Sequence, residues 1–231
     1  MNARRKNLLS KLIVIVAIFL SGCDDATENL TSESTGNSKT LPFYGEFDIQ
    51  FIQQADGSTQ ADTVYYPIPK FSFTNQFGTE TSYKDYERSI TIAEFFFTEC
   101  PSICPIMSSQ MARIQELVKS AGLDSEVRFI SFSVKPQNDT PEVLKAYGEK
   151  IGADFTNWSF VTGKAEDIYD LAQDGFMLTA FPSDSAEGGI FHTDKITLLD
   201  KNLYIRGYYD GTSTKGMDEL FDDVKILAEK K

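Results

Sequence analysis

Soft metal donors are scarce in this chain. Its 231 residues include one histidine, His192, and three cysteines, Cys23, Cys100 and Cys104. Structural zinc is nearly always four-coordinate, so a donor set this small does not suit it. Basic residues are scarce too. There are 22 Lys and Arg against 34 Asp and Glu, and Arg4, Arg5, Lys6 and Lys11 lie at the extreme N-terminus. Without those four the balance is 18 against 34, a net charge of −16. Such a body argues against nucleic acid and against electrostatic docking on anionic lipid. It favours a basic or metal-bearing partner. The apolar run Leu8–Leu20 falls short of the roughly 20 residues that span a bilayer. No internal repeat is present.

The N-terminus reads as a targeting segment. Arg4-Arg5-Lys6 precede the Leu8–Leu20 run, and Leu20-Ser21-Gly22-Cys23 follows it. That ending resembles a bacterial lipobox, in which Cys23 becomes the lipid-bearing first residue after residues 1–22 are removed. An uncleaved anchor helix is the alternative, and either tethers the body outside the cytoplasm, facing the periplasm. Residues 23–40 are rich in Ser, Thr, Asn and acids, with almost no large apolar side chain, and read as a disordered spacer. A domain spans 41–231.

Within that domain Phe47, Ile49 and Phe51 alternate with polar residues, the pattern of a half-buried strand. The turn signal Asp56-Gly57-Ser58 then leads to a returning strand at Val64–Tyr66. Phe71 and Phe73 alternate again. Ile90–Phe97 is a continuous apolar stretch broken by Glu94, suited to a central strand. Met107, Met111, Ile114, Leu117 and Val118 recur at helical spacing up to Gly122. Val127–Val134 is a second buried strand. Thr140-Pro141-Glu142 gives an N-cap and first turn to a helix that stops at Gly152. Trp158–Val161 is a strand and Ala165–Gln173 a helix. Phe176–Phe181 is a short apolar piece and Ser183–Gly189 an acidic loop. Ile190–Leu199 and Leu203–Tyr209 read as a hairpin turning at Asp200-Lys201-Asn202. Met217–Leu227 closes the chain as a helix. This order fits an α/β fold, a thioredoxin-like central sheet flanked by helices, with an extra N-terminal β-hairpin.

The segment FFFTECPSICPIM, Phe95–Met107, carries the chemistry. An apolar strand stops at Thr98, and Cys100 and Cys104 follow, each with a proline directly after it. Proline suits the first turn of a helix, so the thiols belong at a strand-to-helix junction. Two residues four apart on a helix have Cβ atoms about 5–6 Å apart, wide for a disulfide and comfortable for two thiolates on one metal ion. A loosened first turn still permits the disulfide. A short-loop disulfide constrains the unfolded chain little, which weakens a purely structural role for the pair. With Cys23 lipidated, Cys100, Cys104 and His192 are the soft donors left. Thiolate with imidazole suits Cu(I), Cu(II) or Zn(II), and Cu(I) accepts three ligands. A helix N-terminus stabilises the resulting negative site and lowers thiol pKa values, which also makes the pair redox-active. Met107 and Met111 sit at core spacing rather than as auxiliary donors.

Three blocks, FFFTECPSICPIM, ISFSVKPQNDTPEVLKAY and GIFHTDKITLLD, resemble the Sco/SenC family across about Pro69 to Asp210. That family comprises membrane-tethered, thioredoxin-like copper proteins used in assembling cytochrome c oxidase. The resemblance implies that Cys100, Cys104 and His192 are copper ligands. It implies as partners the copper-site subunit of the oxidase, together with other copper chaperones or thiol reductants. Asp139-Thr140-Pro141 matches the family's helix start. Two positions depart from its pattern. Ser102 and Lys135 stand where aspartate is usual, and both changes alter the charge near the site. The implied role is a copper chaperone for the dinuclear copper centre. The alternative is an extracytoplasmic thiol-disulfide oxidoreductase, for which the histidine is not strictly needed. A binding module with a structural disulfide and no metal is the blandest reading.

Overall fold

The computed structural model describes residues 40–183, 185–186 and 189–229. The targeting segment 1–22, Cys23 and all of the 23–40 spacer except Thr40 lie outside them. Among the described residues no helix is long and apolar enough to cross a membrane.

The chain enters through a hairpin, β1 (Phe47–Gln53) and β2 (Thr59–Tyr65), which pair only with each other. β3 (Ser72–Asn75) and β4 (Glu80–Ser82) form a second hairpin, followed by a 3₁₀ turn at Tyr83–Asp85. Then come β5 (Ile90–Phe96), α1 (Ile103–Ser120), β6 (Val127–Ser133), α2 (Pro141–Ile151) and β7 (Trp158–Thr162). α3 (Ala165–Asp170) runs on into a π turn at Leu171–Gly175. β8 (Ala180–Pro182), β9 (Ile190–His192), β10 (Lys195–Leu199), β11 (Ile205–Asp210) and α4 (Thr214–Glu229) complete the chain.

Seven strands form the main sheet in the order β11-β10-β5-β6-β7-β3-β4. β5, β6 and β7 are parallel and joined through helices, while β10, β11, β3 and β4 are antiparallel additions at the two sides. This is a thioredoxin-like sheet flanked by helices. All seven residues of β5 are buried, because the strand lies inside the sheet with both faces covered. Its register with β6 places Glu94 beside Ser131 on one face and Phe95 beside Phe132 on the other. The first face lies under α1 and α2, where Tyr147 packs on Phe96. The second meets Phe176 from the end of the π turn. Gly122 and Gly152 end α1 and α2 with φ of +72° and +78°, a region glycine enters without strain. Thr140 caps α2 by accepting from the Val143 N–H.

Four expectations need correction. β1 is not half-buried: both its faces are exposed, and Phe51 keeps 73% of its surface. Alternation marks an amphipathic strand but does not supply a second layer to cover it. Its partner strand is also longer than Val64–Tyr66, because polar residues from Thr59 onward pair as well as apolar ones. Ile190–Leu199 is not one strand. It breaks at Thr193-Asp194, where Asp194 O accepts from Gly211 N and Thr193 Oγ1 accepts from Lys195 N. β9 therefore pairs with β8 in a separate two-stranded ribbon, while β10 joins the main sheet. The helix expected over Ala165–Gln173 is α-helical only to Asp170 and then widens into the π turn. Finally, the short β4 and the 3₁₀ turn carry too few residues for any period to be read.

Candidate metal centre

The loop from β5 into α1 carries the first thiol. Cys100 does not share a helical face with Cys104, as the spacing suggests. It lies before the helix, whose N-cap is Ser102, while Cys104 is the second helical residue. Pro105 takes the third position, where the missing N–H has no partner to lose. Ser102 does not cap the helix with its side chain. Its Oγ instead lies 3.9 Å from Cys100 Sγ.

Neighbouring segments hold this loop. The Asp139 carboxylate, fully buried at the start of the turn into α2, accepts from the Thr98 N–H and hydroxyl and from the Ser133 hydroxyl. Glu99 accepts 2.9 Å from Asn138 Nδ2 and pairs with Lys135 at 3.4 Å. The Lys135 ammonium lies 5.5 Å from the centre of the Phe97 ring.

The ribbon of β8 and β9 brings in the imidazole. His192 Nδ1 lies 3.0 Å from the Thr193 carbonyl oxygen, so that nitrogen carries the proton and donates. Nε2 is thereby left bare, 3.6 Å from Cys104 Sγ. The ring meets Phe97 edge-on, with centroids 5.4 Å apart and planes at 82°. Burial lowers the His192 pKa, which keeps the ring neutral and able to donate its lone pair.

Both cysteines are free thiols and both are buried. Their environments differ. Burial acts to raise the Cys100 pKa. The N–H groups of Cys104 and Ser102, with lesser help from the Cys104 and Ser102 side chains, outweigh it and bring the pKa below the ordinary thiol value. Cys104 is fully buried, and burial pushes its thiol up, with the nearby charges of Cys100 and Glu94 acting the same way. A cleft of about 320 Å³, lined by Cys100, Ile103, Phe191 and His192 among others, opens onto Cys100 and the imidazole but not onto Cys104.

The donor atoms of Cys100, Cys104 and His192 all lie within 4.8 Å of one another. An ion bonded at about 2.3 Å to sulfur and about 2.0 Å to nitrogen holds trigonal donors roughly 3.8–4.0 Å apart. The Cys104–His192 pair already meets that spacing, and the cluster as a whole needs to close by less than about 1 Å. Met107 and Met111 are fully buried core residues. Sequence reasoning took Asp139 only as a helix start and Glu94 only as a break in an apolar strand. Both carboxylates are fully buried, and Asp139 holds the thiol loop through Thr98. For Glu94 the charge within an apolar strand was the signal available, whereas Asp139 lies among polar residues that gave none.

The family model described as SCO1/SenC matches residues 59–229. The match begins at the first residue of β2 and ends at the last of α4, beyond the limits seen in the sequence blocks. A curated relative, the SCO1 protein homolog of Bacillus subtilis, is 31% identical over 182 residues, covering 78% of this chain and 93% of its own length. The crystal structure of a SCO1/SenC family lipoprotein from Bacillus anthracis superposes with a TM-score of 0.66 at 35% identity, covering 71% of this chain and 95% of that one. The structure of BsSco, a member of the Sco family of cytochrome c oxidase assembly proteins in which a disulfide switch was identified, gives 0.64 at 30% identity, covering 72% and 95%.

Proposed function

This chain belongs to the SCO1/SenC family, and we propose that it binds one copper ion through Cys100 Sγ, Cys104 Sγ and His192 Nε2. The convergence of those three atoms within 4.8 Å carries the reading. The donors fit the cargo. Two thiolates and a neutral imidazole satisfy Cu(I) with three ligands, and the first turn of α1 points its free N–H groups at the negative site. The protein works outside the cytoplasm, held to the bacterial envelope by a lipid on Cys23 after removal of residues 1–22. Residues 23–40 act as its spacer. Its acceptor is the copper-site subunit of cytochrome c oxidase, a reading supported by the similarity to BsSco, a member of a family of cytochrome c oxidase assembly proteins. A partner thiolate can attack a three-coordinate ion that faces the cleft, so Cu(I) passes by ligand exchange.

The test is metal analysis of the reduced domain after Cu(I) loading. Wild type is expected to hold one copper per chain. His192→Ala is expected to lose affinity by more than the roughly 10–100-fold that loss of an outer-shell partner costs, with the fold unchanged by circular dichroism. An unaltered copper titration in that variant rules the triad out.

One observation favours a second reading. The two thiols are unequal, Cys100 acidified beside solvent and Cys104 held protonated beneath it. That asymmetry suits a nucleophile and a resolving thiol in disulfide exchange, on exported cysteines or those of the same oxidase subunit. Full exchange activity in His192→Ala, with no copper retained by wild type, would favour it.

A further inference from the structure

The hairpin of β1 and β2 sorts its side chains by face. Phe47 lies opposite Tyr65, Ile49 opposite Thr63 and Phe51 opposite Ala61. No charged side chain stands among these six. Phe47 keeps 51% and Ile49 57% of its surface, so the stripe is open to water. The reverse face pairs Asp48 with Val64, Gln50 with Asp62 and Ile52 with Gln60. There Asp48 accepts from the Tyr66 hydroxyl. A two-stranded ribbon that packs on nothing is at best marginally stable in water. Its root is nonetheless fixed. Tyr44 N donates to Ile205 O at 2.9 Å on the way in, and Ile68 N donates to Leu203 O at 3.0 Å on the way out. The domain thus holds an apolar stripe clear of its own core.

We propose that this stripe docks on the lipid bilayer, its aromatic and aliphatic side chains entering the boundary between headgroups and acyl chains. The proposal rests on the reading of Cys23 as the lipid-bearing residue. From Cys23 to Phe47 the chain advances 24 residues, a reach of at most about 80 Å when fully extended. So close a tether makes the hairpin's meeting with the membrane an intramolecular event, for which a weak apolar contact suffices. Tyr65 suits that boundary, where rings with one apolar and one polar end concentrate, and Phe47 and Phe51 add apolar area beside it. The lack of charge matters in so acidic a chain, because the stripe enters with no charge to strip of water. Asp48 and Asp62 on the reverse face stay in water. That division is the one an element lying flat in the interface requires.

A second copy of the chain fits the stripe less well. A stable interface takes about 20–30 residues from each partner. The stripe supplies six, so two stripes pressed together fall far short. A bilayer covers a stripe of any size. A charged protein partner finds no complement on it. The hairpin therefore gives the chain a second hold on the membrane besides the lipid, and its fixed root orients the domain that carries the metal centre.

The test uses the full chain, purified from bacterial membranes and reconstituted into phosphatidylcholine vesicles with brominated acyl chains. Trp158 is the one native tryptophan and is fully buried, so the bromines leave its emission alone. Phe51→Trp sets a reporter in the stripe, and Gln50→Trp sets one on the reverse face. Both positions are exposed, so neither substitution threatens the fold. Against unbrominated vesicles the stripe reporter is expected to lose roughly half its emission or more, and the reverse reporter little. Adding Ile49→Glu to Phe51→Trp is expected to abolish the quenching, because a carboxylate in the stripe opposes entry. An unquenched stripe reporter in a chain that floats with the vesicles overturns the proposal and leaves the lipid anchor standing. Sedimentation then tells whether a second copy covers the stripe. Equal quenching of the two reporters overturns the proposal as well. A chain that does not float with the vesicles defeats the anchor reading itself, and the proposal with it.

Discussion

Replacing Glu94 with glutamine should change how stability depends on pH by an amount the structure sets. Burial lifts the Glu94 pKa from 4.5 to about 7 in the folded protein. The unfolded chain releases this proton at lower pH than the folded chain does, so the group's stabilising effect is full below about 4.5 and is lost as pH rises through about 7. Each pKa unit is worth about 1.4 kcal/mol, so the difference amounts to about 3 kcal/mol by pH 8. Glutamine has nearly the same shape and cannot ionise. Its amide brings donors to a place that offers no acceptor, a pH-independent cost of about 1–3 kcal/mol. The absolute offset between the two proteins is therefore uninformative, and its change with pH is the signal. Urea denaturation of both reduced, metal-free proteins at about pH 4.5, 6 and 8 measures it. Other carboxylates titrate alike in both and cancel in the comparison. Stability of wild type relative to variant should fall by about 3 kcal/mol between the lowest and highest pH. Parallel curves, with a constant offset, would refute a buried carboxyl that titrates near neutrality.

Two further outcomes follow from buried charges. Asp139→Ala strips the acceptor from the Thr98 N–H, the Thr98 hydroxyl and the Ser133 hydroxyl, and should cost about 3 kcal/mol or more by urea denaturation. It should also loosen the Cys100 loop, seen as weaker copper retention, which Asp139→Asn should partly restore. Arg206 pairs with Asp200 at 2.8 Å, donates to the carbonyls of Leu41 and Pro42, and stacks on Phe43. Arg206→Ala should cost about 3–5 kcal/mol and expose the entering segment to proteolysis before β1, with copper binding intact.

How far the sequence could be read depends on the range of the interaction concerned. The strands β5, β6 and β7, the caps at Thr140, Gly122 and Gly152, and the turn at Asp200 were all legible, because period, proline, glycine and capping residues act within a few positions. The exposure of β1 was not, since alternation says nothing of what covers it. Nor was the break at Thr193, which arises where Asp194 meets Gly211, a residue beyond the next strand.

The candidate donors were legible in the sequence. With one histidine and two thiols in the described domain, no other soft set was available, and Cys-Pro at the end of an apolar strand placed the thiols at a helix start. Their convergence was decided only by tertiary structure. It depends on β9 leaving the main sheet to pair with β8, which carries His192 to within 3.6 Å of Cys104. It depends also on Asp139 gripping Thr98. Contacts of that kind join residues tens of positions apart, and the solvent exclusion that sets their charge exists only once the layers have closed.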